Sequence, residues 1–161
     1  MHPQPATSTN NATRSVLPWL LALLLLVSAP FAFAKSYTYN TDGTVTDPST
    51  GLTWMRCAMG QTWTGSTCSG EARTYGPDQI NALSGTVTFA GTSEWRLPSI
   101  RELQTIVDRS AFDPAIDSVA FPNTPSAFFW SGSSGMVVRF LKGEAYNAPS
   151  YLCLLYTSRC V

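Results

Sequence analysis

Apolar and polar residues alternate in short segments that predict β-strands near both ends of residues 36–147. Residues 44–47 and 52–56 flank the turn sequence PSTG, which predicts a β-hairpin with a four-residue connection. An aromatic–polar alternation over residues 36–40 predicts a strand before this hairpin. Three further strands are predicted at residues 128–130, 136–141 and 144–147.

Two short segments between these strands carry helical signals. Residues 77–83 begin with a proline, which suits the first turn of a helix. Ser99 lies three residues before Glu102, the spacing of a capping box. Apolar residues then recur at helical spacing and fade near Asp108: Ile100, Leu103, Ile106 and Val107. The order of elements predicts an α+β domain with a mainly antiparallel sheet and two short helices.

The N-terminal 34 residues have the layout of a secretory signal peptide. Arg14 precedes an apolar run of about twelve residues, and AFA at residues 32–34 has the small-x-small pattern of a cleavage site. The run is shorter than the roughly 20 residues that span a bilayer. We therefore expect a protein that is periplasmic or secreted, with no membrane span after cleavage. An uncleaved N-terminal anchor is the alternative.

The charged residues argue against nucleic acid as a partner. Residues 35–152 contain eight basic and ten acidic residues, which are scattered rather than clustered. The only histidine, His2, lies within the predicted signal peptide. Ser-His-Asp and Cys-His systems are thereby excluded from the domain. We expect no cofactor, no metal and no enzymatic activity, although a hydrolase that uses paired carboxylates is an alternative.

The last nine residues have an unusual sequence, CLLYTSRCV. Written back as codons, residues 153–161 match two transposase mosaic ends joined head to head, followed by a stop codon. We interpret this segment as a sequencing-adaptor artefact. The domain is then predicted to cover residues 35–152, and the natural chain to continue differently after Leu152.

Two of the four cysteines precede this tail. Cys57 and Cys68 are predicted to form a disulfide, because exported proteins fold under oxidising conditions. The alternative is a pair of metal ligands, but two thiols without a histidine make an incomplete zinc site.

Aromatic residues are the candidate ligand contacts. Trp63 lies in a Thr-, Ser- and Gly-rich segment, residues 60–76, which we expect to be a surface loop that presents the ring as a sugar-stacking platform. Tyr75 and Tyr146 are weaker candidates of the same kind. Three tryptophans beside predicted strands are expected in the core: Trp54, Trp95 and Trp130.

Polar residues in the second half admit two interpretations. Arg96 is expected to pair with Glu102 or to hold backbone carbonyls, and a ligand acid is the alternative. Loop aspartates at 108, 113 and 117 are expected to cap turns, although their oxygens also suit calcium.

Four sequence blocks occur in one order along the chain: TDPSTGLTWMRC, SEWRLPSIRELQTIVD, FPNTPS, and FFWSGS followed by VVRF and a glycine turn. Together they resemble the Lcl C-terminal domain family, a domain of unknown function named for the C-terminal module of a collagen-like bacterial adhesin. The resemblance covers about residues 44–151. It implies a C-type lectin-like fold and a role in adhesion or in contact with carbohydrate at the cell surface.

Family members end in a strand at the position where residues 153–161 stand here, so we expect the sheet to lack its last strand. The calcium-dependent lectins cage their ion with a WND-type triplet, and here Trp130 is followed by Ser131 and Gly132. No metal is therefore expected. The alternative to an adhesion module is a structural or assembly domain of the envelope that contacts another protein or forms homo-oligomers.

Overall fold

The computed structural model describes residues 35–83, 85–147, 153 and 157–159. The predicted signal peptide lies outside the described residues. The elements are β1 (Thr38–Tyr39), β2 (Thr44–Asp47), β3 (Leu52–Met55), β4 (Thr62–Trp63), β5 (Cys68–Ser69), α1 (Pro77–Leu83), β6 (Trp95–Arg96), α2 (Ile100–Thr105), β7 (Phe128–Trp130), β8 (Met136–Arg139), β9 (Glu144–Asn147) and β10 (Thr157–Arg159). Antiparallel strands and two short helices confirm the α+β class.

The largest sheet has the strand order β1-β2-β3-β10-β6. Its β2–β3 hairpin pairs Val45 with Trp54, as the alternation predicts. The connection is held by Asp47, whose Oδ1 accepts hydrogen bonds from the Ser49 amide at 3.0 Å and the Ser49 hydroxyl at 2.6 Å. Gly51 closes the turn at a φ of +70°, which favours glycine.

The expectation that the sheet lacks its last strand is wrong. Residues 157–159 form β10, which pairs Thr157 with Trp54 on one side and Ser158 with Trp95 on the other. Backbone N–H and C=O groups make these ladders, so a short polar segment is able to fill the position between β3 and β6. The DNA origin of residues 153–161 and the boundary at Leu152 remain predictions, and Leu152 lies outside the described residues.

The segment 60–76 is more ordered than a loop. It contains the two-stranded sheet of β4 and β5, in which Trp63 pairs with Cys68. The predicted disulfide between Cys57 and Cys68 is confirmed, with a Cα–Cα distance of 5.5 Å. Strands of two residues are too short to show an alternation, which is why the sequence pattern indicates only a loop.

The structure has both predicted helices. In α2 the Ser99 hydroxyl accepts from the Glu102 amide at 3.3 Å, and the Glu102 carboxylate accepts from the Ser99 amide at 2.7 Å. This reciprocal pair is the predicted capping box. Leu103 and Ile106 are buried. The helix ends at Thr105, earlier than the apolar pattern indicates, because Val107 instead bridges to Ile116.

The remaining sheet has the order β7-β8-β9 and completes two buried apolar clusters. One cluster surrounds Trp54, Phe121 and Phe129, and the other contains Trp95 and Trp130. Among the described residues, no helix is both long and apolar enough to cross a membrane.

Candidate functional site

Trp63 lies on β4 with its ring partly buried. The guanidinium carbon of Arg56 is 4.1 Å from the centroid of this ring. Gly43 also approaches the indole so closely that an added Cβ would lie 2.8 Å from Trp63 Cγ. Gly43 has a φ of +86°, so both the backbone conformation and the space favour glycine. Trp63 is therefore held in place rather than presented on a mobile loop.

Arg56 is fixed by contacts on several sides. Its Nε donates to the Ala120 carbonyl at 3.0 Å and its Nη2 to the Val119 carbonyl at 2.6 Å. The ring of Tyr39 lies 5.2 Å from the same guanidinium. We call Tyr39, Arg56 and Trp63 the aromatic–arginine stack. Arg56 is 8% exposed, and burial lowers the pKa of its guanidinium below the ordinary value.

The loop that receives Arg56 is itself fixed. Asp117 Oδ1 accepts from the Val119 amide at 2.8 Å and from the Ala120 amide at 3.0 Å. Asp117 thus holds the amides of the two residues whose carbonyls bind Arg56. This arrangement positions the stack without a ligand.

A cleft of about 400 Å³ opens beside Trp63. We call it the Trp63 cleft. Its lining is Asp42, Met55, Cys57, Ala58, Met59, Gly60, Gln61, Thr62, Trp63, Val87, Thr88 and Phe89. The walls are mainly apolar with a few polar groups, which is the usual composition of a small-ligand site. Asp42 is the one charged side chain in this lining.

Gln61 links the cleft to neighbouring loops. Its Oε1 accepts from the Ala58 amide at 3.0 Å, and its Nε2 donates to the Asn123 carbonyl at 3.0 Å. Asn123 in turn donates to the Cys68 carbonyl at 2.7 Å. These bonds and the disulfide fix the positions of Cys57, Ala58 and Gln61 in the lining of the cleft.

A second cleft, of about 430 Å³, is lined by Pro77, Ile80, Arg96, Leu97, Trp130 and residues 131–135. The arginine in it is already paired, because its Nη1 and Nη2 bind the two Glu102 carboxylate oxygens at 2.8 and 2.7 Å. Nη1 also donates to the Leu97 carbonyl. Arg96 makes both of the structural contacts expected for it. Its hydrogen bonds to the Glu102 carboxylate lower the pKa of Glu102 to about 2.

Tyr75 does not provide a platform. It is 7% exposed and lies in the cluster of Trp95 and Trp130, with its carbonyl accepting from the Trp130 indole at 2.9 Å. A buried ring has no face for a sugar, so the prediction for Tyr75 is wrong. The contact of Tyr75 with Trp130 joins residues 55 positions apart, and the spacing of residues in the sequence does not reveal it.

Tyr146 is 37% exposed but stands apart from the Trp63 cleft, whose lining does not include it. It lies on β9, packs edge-on against Phe128 with ring centroids 5.5 Å apart, and donates to the Glu144 carboxylate. Arg139 covers Phe128 from another side. The structure therefore does not bring the three predicted aromatic contacts together.

The three tryptophans expected in the core are all buried: Trp54, Trp95 and Trp130. The Trp95 indole donates to the Phe89 carbonyl at 2.9 Å. This bond attaches one wall of the Trp63 cleft to the core.

Two of the loop aspartates, Asp108 and Asp117, act within their own turns, whereas Asp113 binds a residue thirteen positions away. Asp108 Oδ1 accepts from the Ser110 amide at 2.8 Å, and Asp113 accepts from the Ser126 hydroxyl. Asp117 holds the residues that follow it, as described above. In the part of the chain that the structure describes, no group of three or more His, Cys, Asp or Glu side chains is placed to hold a metal ion.

The sequence patterns did not identify four residues of the site around Trp63. Tyr39 and Arg56 belong to the aromatic–arginine stack, and Asp42 and Phe89 line the cleft. Asp42 lies in the sequence Thr41-Asp42-Gly43, whose turn-forming residues are a weak signal for an exposed acid. The contact between Arg56 and residues 119–120 joins positions more than sixty apart, and no local pattern predicts it.

The fold and site define a disulfide-linked α+β domain with a preformed, partly apolar cleft. The family model of the Lcl C-terminal domain matches residues 43–160. The chain belongs to this family. No curated protein matches the chain, and no solved structure matches it.

Proposed function

We propose that this protein is an exported, non-enzymatic binding module of C-type lectin-like character that contacts glycans through the Trp63 cleft. The observation that carries the proposal is the position of Trp63, a partly exposed indole fixed beside an open cleft with polar groups along it. A pyranose ring has an apolar C–H face and hydroxyl edges. An aromatic wall with nearby carboxylate, amide and hydroxyl groups complements both.

The rigidity of the site supports the proposal. The Trp63 hairpin is joined to β3 by the Cys57–Cys68 disulfide and held by Arg56 on one ring face. Phe89 on the cleft wall packs on Trp95 with ring centroids 6.0 Å apart. A preformed site loses little conformational entropy on binding. This small entropy cost favours the binding of ligands such as sugars, whose interaction energies are low.

Four carboxylates have structural partners, which favours binding over catalysis. Glu102 pairs with Arg96. Asp108 and Asp117 hold their own turns through hydrogen bonds, and Asp113 accepts from the Ser126 hydroxyl. A general acid needs a raised pKa, whereas the pKa values of Glu102 and Asp108 are lowered by hydrogen bonds from Arg96 and Ser110, respectively.

The test is a carbohydrate array probed with the full chain, followed by calorimetry on each glycan that binds. Trp63→Ala should weaken binding by about tenfold or more, since an aromatic stacking partner is removed. Tyr146→Ala is the matched control, because it truncates an exposed aromatic residue outside the cleft. The glycan affinity of this variant should equal that of the unsubstituted protein. A silent array, or equal affinity of the Trp63→Ala protein, would reject the proposal.

A structural or assembly domain is the second candidate. Phe112 and Val119 are 65% and 66% exposed, and both lie on loops held by hydrogen bonds from neighbouring residues. Exposed apolar side chains on ordered loops are common at protein interfaces. Light scattering that shows a stable oligomer, lost in Phe112→Ser, together with a silent glycan array, would favour this function.

A further inference from the structure

We propose that the Trp63 cleft selects glycans that carry protonated amines, such as glucosamine oligomers, over sulfated glycans. This inference rests on the proposed function, since it assumes that the cleft binds a sugar. It follows from the charges that the fold places at the cleft: an exposed acidic residue in the lining, and a largely buried arginine outside the lining whose Nε and Nη2 donate to backbone carbonyls.

The carboxylate is that of Asp42. It is exposed, and its Oδ1 accepts from the Thr44 amide at 2.9 Å and from the Thr44 hydroxyl at 2.6 Å. These two bonds fix the direction of the carboxylate. Among the described residues, no donor is placed against Oδ2. This oxygen is therefore available to accept from an ammonium group on a ligand.

The nearby arginine offers little to an anion. Nε and Nη2 of Arg56 donate to the carbonyls of Ala120 and Val119, while Tyr39 and Trp63 lie against the guanidinium. A sulfate group that approached Nε or Nη2 would have to displace these contacts. Because Arg56 is also largely buried and does not line the cleft, the cleft presents the negative charge of Asp42 to a ligand.

Two other charged residues adjoin the cleft wall. The Arg73 amide donates to the Met59 carbonyl at 2.7 Å, and the Glu71 carbonyl lies close to Gly60. Their side chains are exposed and are not part of the lining. They have opposite charges that offset each other, so Asp42 determines the sign of the net charge at the cleft. Arg73 is nevertheless the residue to remove if a sulfated glycan binds.

The apolar walls define the rest of the ligand. Met55, Met59 and Phe89 face the cleft together with Trp63. A ring with an apolar face and an amine at its edge satisfies both the walls and Asp42. An ion pair at an exposed carboxylate contributes modestly and is screened by salt. We expect an amine to tighten binding by about twofold to fivefold at low ionic strength.

The experiment compares three oligosaccharides of equal length by calorimetry with the full chain. They are an N-acetylglucosamine oligomer, a glucosamine oligomer and a sulfated heparin oligomer, each at about 50 mM and about 300 mM NaCl. The expected order of affinity is amine, then neutral, then sulfated. The advantage of the amine should shrink at the higher salt concentration.

Asp42→Asn is the decisive variant, because an amide oxygen still accepts from Thr44 while the charge is removed. It should abolish the preference for the amine, so that the amine and the neutral oligomers bind the variant with equal affinity. Asp78→Asn, on α1 and outside the cleft lining, is the matched control and should keep the preference.

Two results would overturn the inference while leaving glycan binding intact. One is a preference for the sulfated oligomer, with Arg73→Gln identifying its source. The other is an amine preference that Asp42→Asn does not change. If none of the three oligomers binds and the carbohydrate array is silent, the proposed function fails together with the inference.

Discussion

The guanidinium of Arg56 stacks on the indole of Trp63 at 4.1 Å from the ring centroid, and this contact links the end of β3 to the small sheet that carries Trp63. Arg56 directly follows β3 in the five-stranded sheet, and Trp63 belongs to the small sheet of β4 and β5. The stack therefore positions the candidate platform with respect to the main sheet. Its stability depends on groups that are distant in sequence.

Arg56→Lys should lower the free energy of unfolding by about 2 kcal/mol. A lysine keeps the charge but lacks the planar fork that reaches the Ala120 and Val119 carbonyls at once. Urea denaturation measures the change. Arg109→Lys, at an exposed position, is the control and should shift the free energy by less than about 0.5 kcal/mol. Equal losses in the two variants would contradict the structural role of Arg56.

Gly43→Ala should destabilise the domain more than Gly51→Ala. Both glycines have positive φ, so both substitutions introduce backbone strain of about 1 kcal/mol. An added Cβ at Gly43 lies 2.8 Å from Trp63 Cγ, whereas at Gly51 it meets nothing within 4 Å. Overpacking at Gly43 adds about 1–3 kcal/mol. Thermal unfolding followed by circular dichroism gives the difference, and indistinguishable midpoints would refute the close contact with Trp63.

Features decided by neighbouring residues could be predicted from the sequence. The β2–β3 hairpin and the capping box of α2 depend on partners within five residues, namely Asp47 with Gly51 and Ser99 with Glu102. Local hydrogen bonds and turn geometry leave a signature in residue order. The same kind of local signal predicted a helix over residues 77–83, and the structure has the helix at these bounds.

Features decided by the meeting of distant segments could not be predicted. The position that β10 fills exists only once β3 and β6 flank it on either side. Tyr75 is buried in a cluster with Trp130, whose indole donates to the Tyr75 carbonyl from a position 55 residues away. For the candidate site, the composition of residues 60–76 pointed to Trp63. The cleft itself required Phe89 and Asp42, which come from two other loops.

Loss of the Cys57–Cys68 disulfide should lower the free energy of unfolding by about 3 kcal/mol, because the link closes a short loop in the unfolded chain. The double variant Cys57→Ser, Cys68→Ser should also bind glycan more weakly, since the hairpin that carries Trp63 loses its anchor. Denaturation with and without a reducing agent provides the control. The unfolding midpoint of the natural pair should fall on reduction, and that of the double variant should not. A double variant as stable as the oxidised protein would contradict this role.

The Arg96–Glu102 pair should make stability depend on pH in the acid range. Hydrogen bonding to Arg96 lowers the pKa of Glu102 to about 2 in the folded protein, from 4.5 as the ordinary value. Because the folded pKa is the lower one, the stabilisation is complete above about pH 4.5 and is lost as the pH falls towards 2.

Glu102→Gln removes this charge while leaving an oxygen that can still cap the Ser99 amide. We expect a loss of about 1 kcal/mol at pH 7, and a smaller decline in stability between pH 4.5 and 2 than in the unsubstituted protein. Urea denaturation at a series of pH values measures both. Glu94→Gln, at an exposed carboxylate, is the matched control and should keep the original pH profile. If the Glu102→Gln protein keeps the full decline, some other carboxylate causes the acid sensitivity, and the ion pair serves only to orient Arg96 at the second cleft.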